Sequence, residues 1–145
     1  MISLINWNIR GISDDTSFKR LHSLRKQFKS CFISIQEPLV SNKKQKRICR
    51  KLGFAGYTSN CENKIWVMWT SDVSVRVLED HPQYLHVELI HTCYPDPIQI
   101  SCVYAKCGRK ARAPLWDGLS ALNVGDVPWL CVGDFNVISG VHEQV

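Results

Sequence analysis

Three short segments constrain this fold most: Ile2–Ile9, Cys31–Gln36 and Pro128–Val132. Each is apolar on alternate and adjacent positions, and each is long enough for a strand but too short for a stable helix. Such runs read as strands buried between two layers rather than half-exposed on one. Between and after them the pattern changes. Asp14, Asp15, Thr16 and Ser17 offer N-caps for a helix through about Phe28, whose apolar stripe is Phe18, Leu21, Leu24 and Phe28. Asn42 to Leu52 reads as one basic helix touching the core through Ile48, Cys49 and Leu52, and Gly53 stops it. Phe54–Ser59, Lys64–Thr70, Val73–Leu78, Tyr84–His91 and Ile98–Tyr104 follow as closely spaced strands with Asn, Asp and Pro turns, the chemistry of an antiparallel meander. Pro114 is expected in the first turn of a last helix carrying Leu115, Trp116, Leu119 and Leu122. Helices flanking largely antiparallel strands imply an α/β sandwich rather than a doubly wound parallel sheet.

Composition narrows the class. The 145 residues are 45% apolar and 21% charged, enough for one domain and too apolar for disorder. No run approaches the ~20 apolar residues that span a bilayer, and the first residues carry no secretory pattern, so a soluble intracellular protein is expected. The seven cysteines are scattered without a Cys-x-x-Cys pair and read as reduced thiols, several of them buried. Cys102 and Cys107 have no second pair or His at zinc-ligand spacing. Charge is unevenly distributed: residues 1–51 carry twelve Lys/Arg against three Asp/Glu, whereas the remainder is net acidic. A basic first third suits a polyanion, nucleic acid before membrane. The run Lys43-Lys44-Gln45-Lys46-Arg47 reads as the solvated face of an outer helix, with a phosphate-backbone patch or nuclear localisation signal as the alternative. The five Trp fall in apolar patterns and are expected in the core.

Candidate chemistry lies at the strand ends. Asn8, Glu37 and Asp134 each close an apolar strand, where a rigid element can aim a side chain into a shared cleft. Two carboxylates with carboxamides suit a hard divalent ion, since Mg²⁺ takes one or two protein carboxylates and keeps waters and phosphate oxygens. That set fits metal-assisted phosphodiester hydrolysis better than acyl transfer. Singly, each residue has a plainer explanation: a strand-end hydrogen bond for Asn8, a solvated terminus for Glu37, a turn for Gly133-Asp134-Phe135-Asn136, a core or rim position for Tyr104.

Taken in order, Asn6-Trp7-Asn8-Ile9-Arg10-Gly11, Gln36-Glu37-Pro38, Val103-Tyr104-Ala105 and Val132-Gly133-Asp134-Phe135-Asn136-Val137-Ile138 resemble the successive motifs of the endonuclease/exonuclease/phosphatase family. The wording is most similar to the endonuclease domain of plant LINE-type (non-LTR) retrotransposons, with Arg112, Leu115-Trp116 and Pro128-Trp129-Leu130 also in place. The resemblance implies a deoxyribonuclease I-like four-layer α/β sandwich and Mg²⁺-dependent nicking of DNA, with Mn²⁺ as a substitute. It implies Glu37 and Asn8 as metal residues and Asp134 as the group that positions or activates water or protonates the leaving group. Tyr104, Asn136 and Arg112 would contact the phosphate. The implied partner is the DNA phosphate backbone, not a membrane, with a nuclear location and a downstream reverse transcriptase domain in intact relatives.

The family's last motif, a Ser-Asp-His strand, has no match before Val145. His142 has no strand before it and reads as a loop histidine, while His22, His81, His86 and His91 lack the motif's neighbours. Residues 1–145 are therefore expected to be the N-terminal portion of a single such domain, incomplete in its last strands and with little or no activity. The alternatives are a non-catalytic retroelement remnant that binds metal or nucleic acid, and a phosphomonoesterase of the same superfamily.

Overall fold

The computed structural model describes residues 2–137; Ile138 and His142 lie outside the described residues. The strand β1 (Leu4–Asn8) leads into the helix α1 (Asp15–Phe28), followed by β2 (Phe32–Gln36), a single 3₁₀ turn at Asn42–Lys44 and α2 (Gln45–Lys51). Then come β3 (Gly56–Ser59), β4 (Ile65–Trp69), β5 (Val73–His81), β6 (Tyr84–His91), β7 (Tyr94–Tyr104), α3 (Arg109–Ala121) and β8 (Trp129–Asp134). They form two four-stranded sheets, ordered β1-β2-β4-β3 and β5-β6-β7-β8. β1–β2 and β7–β8 are parallel pairs; the other neighbours are antiparallel.

Alternation along the strands builds the layers. In β2, Ile33 and Ile35 face outward beneath α1 and α2, packing with Leu21, Cys49 and Leu52. Phe32 faces the second sheet and meets Leu85, Val87, Ile100 and Cys102. On that sheet's far side, Tyr84 and Val103 pack with Leu115 and Leu119 of α3. The order is helices, sheet, sheet, helix: a four-layer sandwich. Among the described residues no helix is long and apolar enough to cross a membrane, and the cysteines are free, with Cys31, Cys49 and Cys102 buried.

Several local expectations need correction. α1 starts where its caps predict, the Asp14 carboxylate accepting from the Ser17 amide at 2.9 Å, but Phe28 is exposed at the end of the helix. The basic segment is a 3₁₀ turn followed by a seven-residue helix. α3 begins at Arg109, so Pro114 lies inside it; the Arg112 amide closes its first turn on the Gly108 carbonyl at 3.0 Å. Only Trp66 of the five Trp is fully buried. Trp116 stacks on Phe135 at the surface, and Trp129 sits on an edge strand.

The segment at Pro128–Val132 departs most from its expected burial. β1 and β8 are the outer strands of their sheets and lie on the same flank, joined by a hydrogen bond from Asn8 to Asp134. With a neighbour on one side only among the described residues, Trp129 and Leu130 are 39% and 43% exposed, and Leu4 and Val132 are half-buried. Unpaired strand edges beside apolar side chains favour association. Residues 1–145 made alone should therefore self-associate, and Leu130→Lys should reduce it. A single monomeric species for the parent in sedimentation velocity would contradict this assignment.

Candidate active site

The inner faces of both sheets turn from apolar to polar along the strands. In β1 the inward series is Leu4, Asn6, Asn8; in β2 it is Phe32, Ser34, Gln36; in β7 and β8 it ends at Tyr104 and Asp134. Because β1–β2 and β7–β8 are parallel pairs in register, Asn8 lies beside Gln36 and Tyr104 beside Asp134. The polar ends therefore form a floor that continues the inter-sheet core.

Two hydrogen bonds cross between the sheets at this end. Asn8 Nδ2 donates to Asp134 Oδ2 at 2.9 Å, and Tyr104 Oη donates to Glu37 Oε1. Glu37 follows the last residue of β2, so strict alternation would send it to the helix side. Its backbone breaks the alternation with φ of +52°. Its N–H donates to the Lys64 carbonyl at 3.0 Å and its carbonyl accepts from Gly11 at 2.8 Å, which holds the turn. Such a conformation costs a non-glycine residue on the order of 1–3 kcal/mol and is found where a side chain must be aimed. Burial, and next the Glu37 carboxylate, push the Tyr104 hydroxyl pKa up, so it stays a donor.

Asp134 is held on both oxygens. Its Oδ1 accepts from the Asn136 amide at 3.0 Å, and its carbonyl accepts from Ala105 at 2.8 Å. Asn136 has φ of +47°, a value Asn tolerates, and its side-chain Nδ2 donates to the Ala105 carbonyl. Arg112 Nη1 donates to the carbonyls of Lys106 at 3.1 Å, Cys107, and Asn136 at 2.9 Å, tying α3 to this turn. Gly133, with φ of +141°, lets β8 lie against β7; a methyl there would overlap the Val103 carbonyl oxygen.

Asn8, Gln36, Asp134 and Asn136 line a cleft of about 530 Å³, whereas Glu37 lines a second hollow with Ser41, Asn63 and Lys64 and reaches the seam between the sheets through its bond with Tyr104. Two buried carboxamide oxygens have no hydrogen-bond partner among the described residues, Asn8 Oδ1 and Gln36 Oε1. Gln36 Nε2 is occupied by Asn6 Oδ1 at 2.8 Å and Ser34 Oγ at 3.1 Å, so its oxygen is a committed acceptor. Orphaned acceptors beside carboxylates form an oxygen-only donor set of the kind hard divalent ions take. Among the described residues no three His, Cys, Asp or Glu come together as a metal-holding group, so a metal here would have to take carboxamide oxygens as well. No described histidine hydrogen-bonds any of Asn8, Glu37, Tyr104, Arg112, Asp134 or Asn136.

Sequence reasoning gave no role to Asn6 or Gln36, although both stand inside the quoted motifs. Period-two alternation was the available signal, since it sets Asn6 on the same face as Asn8.

No family model matches the sequence, and no curated protein matches it. Solved structures do share the fold. A mannosyl-6-phosphatase from Bacteroides thetaiotaomicron is similar over 94% of this chain and 66% of its own, at 13% identity and a TM-score of 0.71. An endonuclease/exonuclease/phosphatase family protein from the same organism is similar over 94% and 64%, at 12% identity and 0.69. Danio rerio TDP2, complexed with a single-strand DNA product, is similar over 94% and 61%, at 11% identity and 0.66. The fold is thus that of the deoxyribonuclease I-like α/β sandwiches. The chain spans about two thirds or less of the length of these structures.

If Gly133 sets the approach of β8 to β7, Gly133→Ala should destabilise the fold by roughly 1–3 kcal/mol. Thermal unfolding followed by circular dichroism checks this, and an unchanged midpoint would refute the close approach.

Proposed function

We propose that this chain is a divalent-metal-dependent phosphodiester hydrolase, by descent the DNA-nicking endonuclease of a plant LINE-type retroelement. The observation that supports the reading is the pair of hydrogen bonds that cross between the sheets at one end, Asn8 to Asp134 and Tyr104 to Glu37. The Ser101–His86 hydrogen bond of 2.8 Å is fully buried between β6 and β7, closed to a substrate, which argues against acyl transfer. The retroelement origin rests on the sequence motifs, and with it the nuclear location and a downstream reverse transcriptase region as partner.

Glu37 and the unpartnered Asn8 Oδ1 would hold Mg²⁺ or Mn²⁺. The ion would supply charge stabilisation to the phosphate and lower the pKa of water. Tyr104 orients Glu37 and faces the scissile phosphate. Asp134, with both oxygens held by Asn8 and Asn136, positions the attacking water or serves the leaving group. Asn136 keeps one side-chain N–H for a phosphate oxygen, and Arg112 fixes Asn136 while its remaining N–H groups are left for phosphate.

Residues 1–145 should nonetheless be weak as an enzyme, the N-terminal portion of one domain. A lost acid/base group costs about 10²–10⁴ in rate and a lost electrostatic donor about 10²–10³, and no described histidine stands at the site. The non-catalytic remnant that binds metal or nucleic acid is the limiting form of this reading. A second reading, phosphomonoester hydrolysis, is favoured by the fold shared with a mannosyl-6-phosphatase.

Supercoiled-plasmid nicking in Mg²⁺ or Mn²⁺, run beside an inositol phosphate assay, separates these. Nicking by residues 1–145 is expected at or below detection. Adding a downstream Ser-Asp-His segment should restore metal-dependent nicking, which Glu37→Ala then abolishes. Phosphate release from the inositol phosphate without nicking would overturn the endonuclease reading. Robust nicking by residues 1–145, lost in Asp134→Ala, would overturn the weak-activity expectation.

A further inference from the structure

We propose that the groove between α1 and α2, on the outer side of the first sheet, binds the sugar-phosphate backbone of nucleic acid as an extension of the site. The inference rests on the phosphodiester reading above and assigns its substrate a second contact surface. Lys44, Arg47 and Lys51 line one wall of this groove of about 390 Å³. They are spaced three and four residues apart, so they share one face of the segment. All three are exposed, and none forms an ion pair among the described residues. Asp15 is the acidic residue of the groove, and it is neutralised by Lys19 at 2.5 Å.

The floor distinguishes this surface from an ordinary solvated helix face. Ile12 is buried and Phe18 and Ile48 are half-buried beneath the cations. Apolar walls with one sign of charge focus the potential and hold a polyanion better than isolated lysines do. A membrane surface fits less well, because none of the three apolar side chains projects to insert.

Position links the groove to the site. Ile12 and Ser13 of the β1–α1 loop both line it, Ile12 in the floor and Ser13 at the exposed edge. That same loop is bonded to the backbone around the proposed metal residue: Gly11 N–H donates to the Glu37 carbonyl at 2.8 Å and Ile12 N–H to the Pro38 carbonyl at 3.0 Å. A backbone held at Glu37 can therefore continue past Ile12 into the row of Lys44, Arg47 and Lys51. The uneven charge of the sequence then has a purpose: ten of the twelve Lys/Arg within residues 1–51 lie in α1, the 3₁₀ turn and α2, the helical layer of the first sheet.

The test measures binding, not cleavage. Residues 1–145 carrying Glu37→Ala are titrated into a short fluorescein-labelled DNA duplex in EDTA, across a range of salt, by fluorescence anisotropy. Arg47→Ala/Lys51→Ala is compared with Arg20→Ala/Lys26→Ala, which removes the same charge from the exposed surface of α1. The groove pair should weaken binding several-fold more than the control. It should also flatten the log–log salt slope by about 0.9 for each phosphate that is no longer neutralised. The charge-keeping Arg47→Lys/Lys51→Arg variant should bind as the parent. Independently of any variant, acetylation of Lys44 and Lys51 should be slowed by duplex while that of Lys26 is not, read by mass spectrometry. Equal weakening by both pairs, no weakening by either, or binding to phosphatidylserine vesicles without binding to duplex would overturn the proposal. Because metal and Glu37 are absent from the assay, a failed nicking experiment leaves this result interpretable. Conversely, a groove that does not bind duplex leaves the Glu37→Ala nicking comparison able to decide the phosphodiester reading.

Discussion

Two hydrogen bonds between the sheets organise everything at the functional end of this molecule. Asn8 on one sheet donates to Asp134 on the other, and Tyr104 on the second donates back to Glu37 on the first. Hydrogen bonds to a carboxylate are each worth about 1.5–3 kcal/mol, so the pair clamps the sandwich where its apolar filling ends. The carboxylates could not otherwise sit at the mouth of an inter-sheet core without solvation. The left-handed turn at Glu37, the glycine at 133 and the Arg112 tie to Asn136 all serve that closure.

The clamp also explains why the donor set is mixed. Carboxamides carry no charge, so Asn8 and Gln36 can be buried beside carboxylates without the repulsion a third acid would bring. Their amide nitrogens are spent on protein partners, which leaves only oxygens unsatisfied. An oxygen-lined cavity beside Asp134 would, on the proposed reading, attract a hard cation and repel a phosphate in its absence. The proposed activity depends on that order of events, and the basic helical layer offsets the same repulsion from outside the cleft.

Much of this was legible in the sequence, for reasons that can be named. Apolar runs that stop at Asn8, Glu37 and Asp134 mark strand ends, and their placement at one end follows once parallel pairing is known. Alternation identifies Asn6 and Gln36 as inward residues, yet nothing in their spacing said that their amides would lock each other. The Tyr104–Glu37 bond was not legible, because it depends on the positive φ at Glu37, and Glu gives no sign of adopting it. Nor could Pro114 inside α3 be foreseen: the first turn ahead of it is tied by Arg112 to the carbonyls of Lys106 and Cys107 just before the helix and, across the fold, to that of Asn136. Trp129 and Leu130 read as core because their pattern is a core pattern; their exposure follows from strand order, which composition does not encode.

The most direct test of the account is whether these oxygens bind a divalent cation at all. Mn²⁺ binding to the full chain, measured by electron paramagnetic resonance of the free ion, should show a single site. Glu37→Gln should abolish it, and Tyr104→Phe, which removes one of the two crossing bonds but no proposed metal oxygen, should retain it. Mn²⁺ binding that is unchanged in Glu37→Gln would contradict the account, as would no binding by the parent chain at millimolar metal.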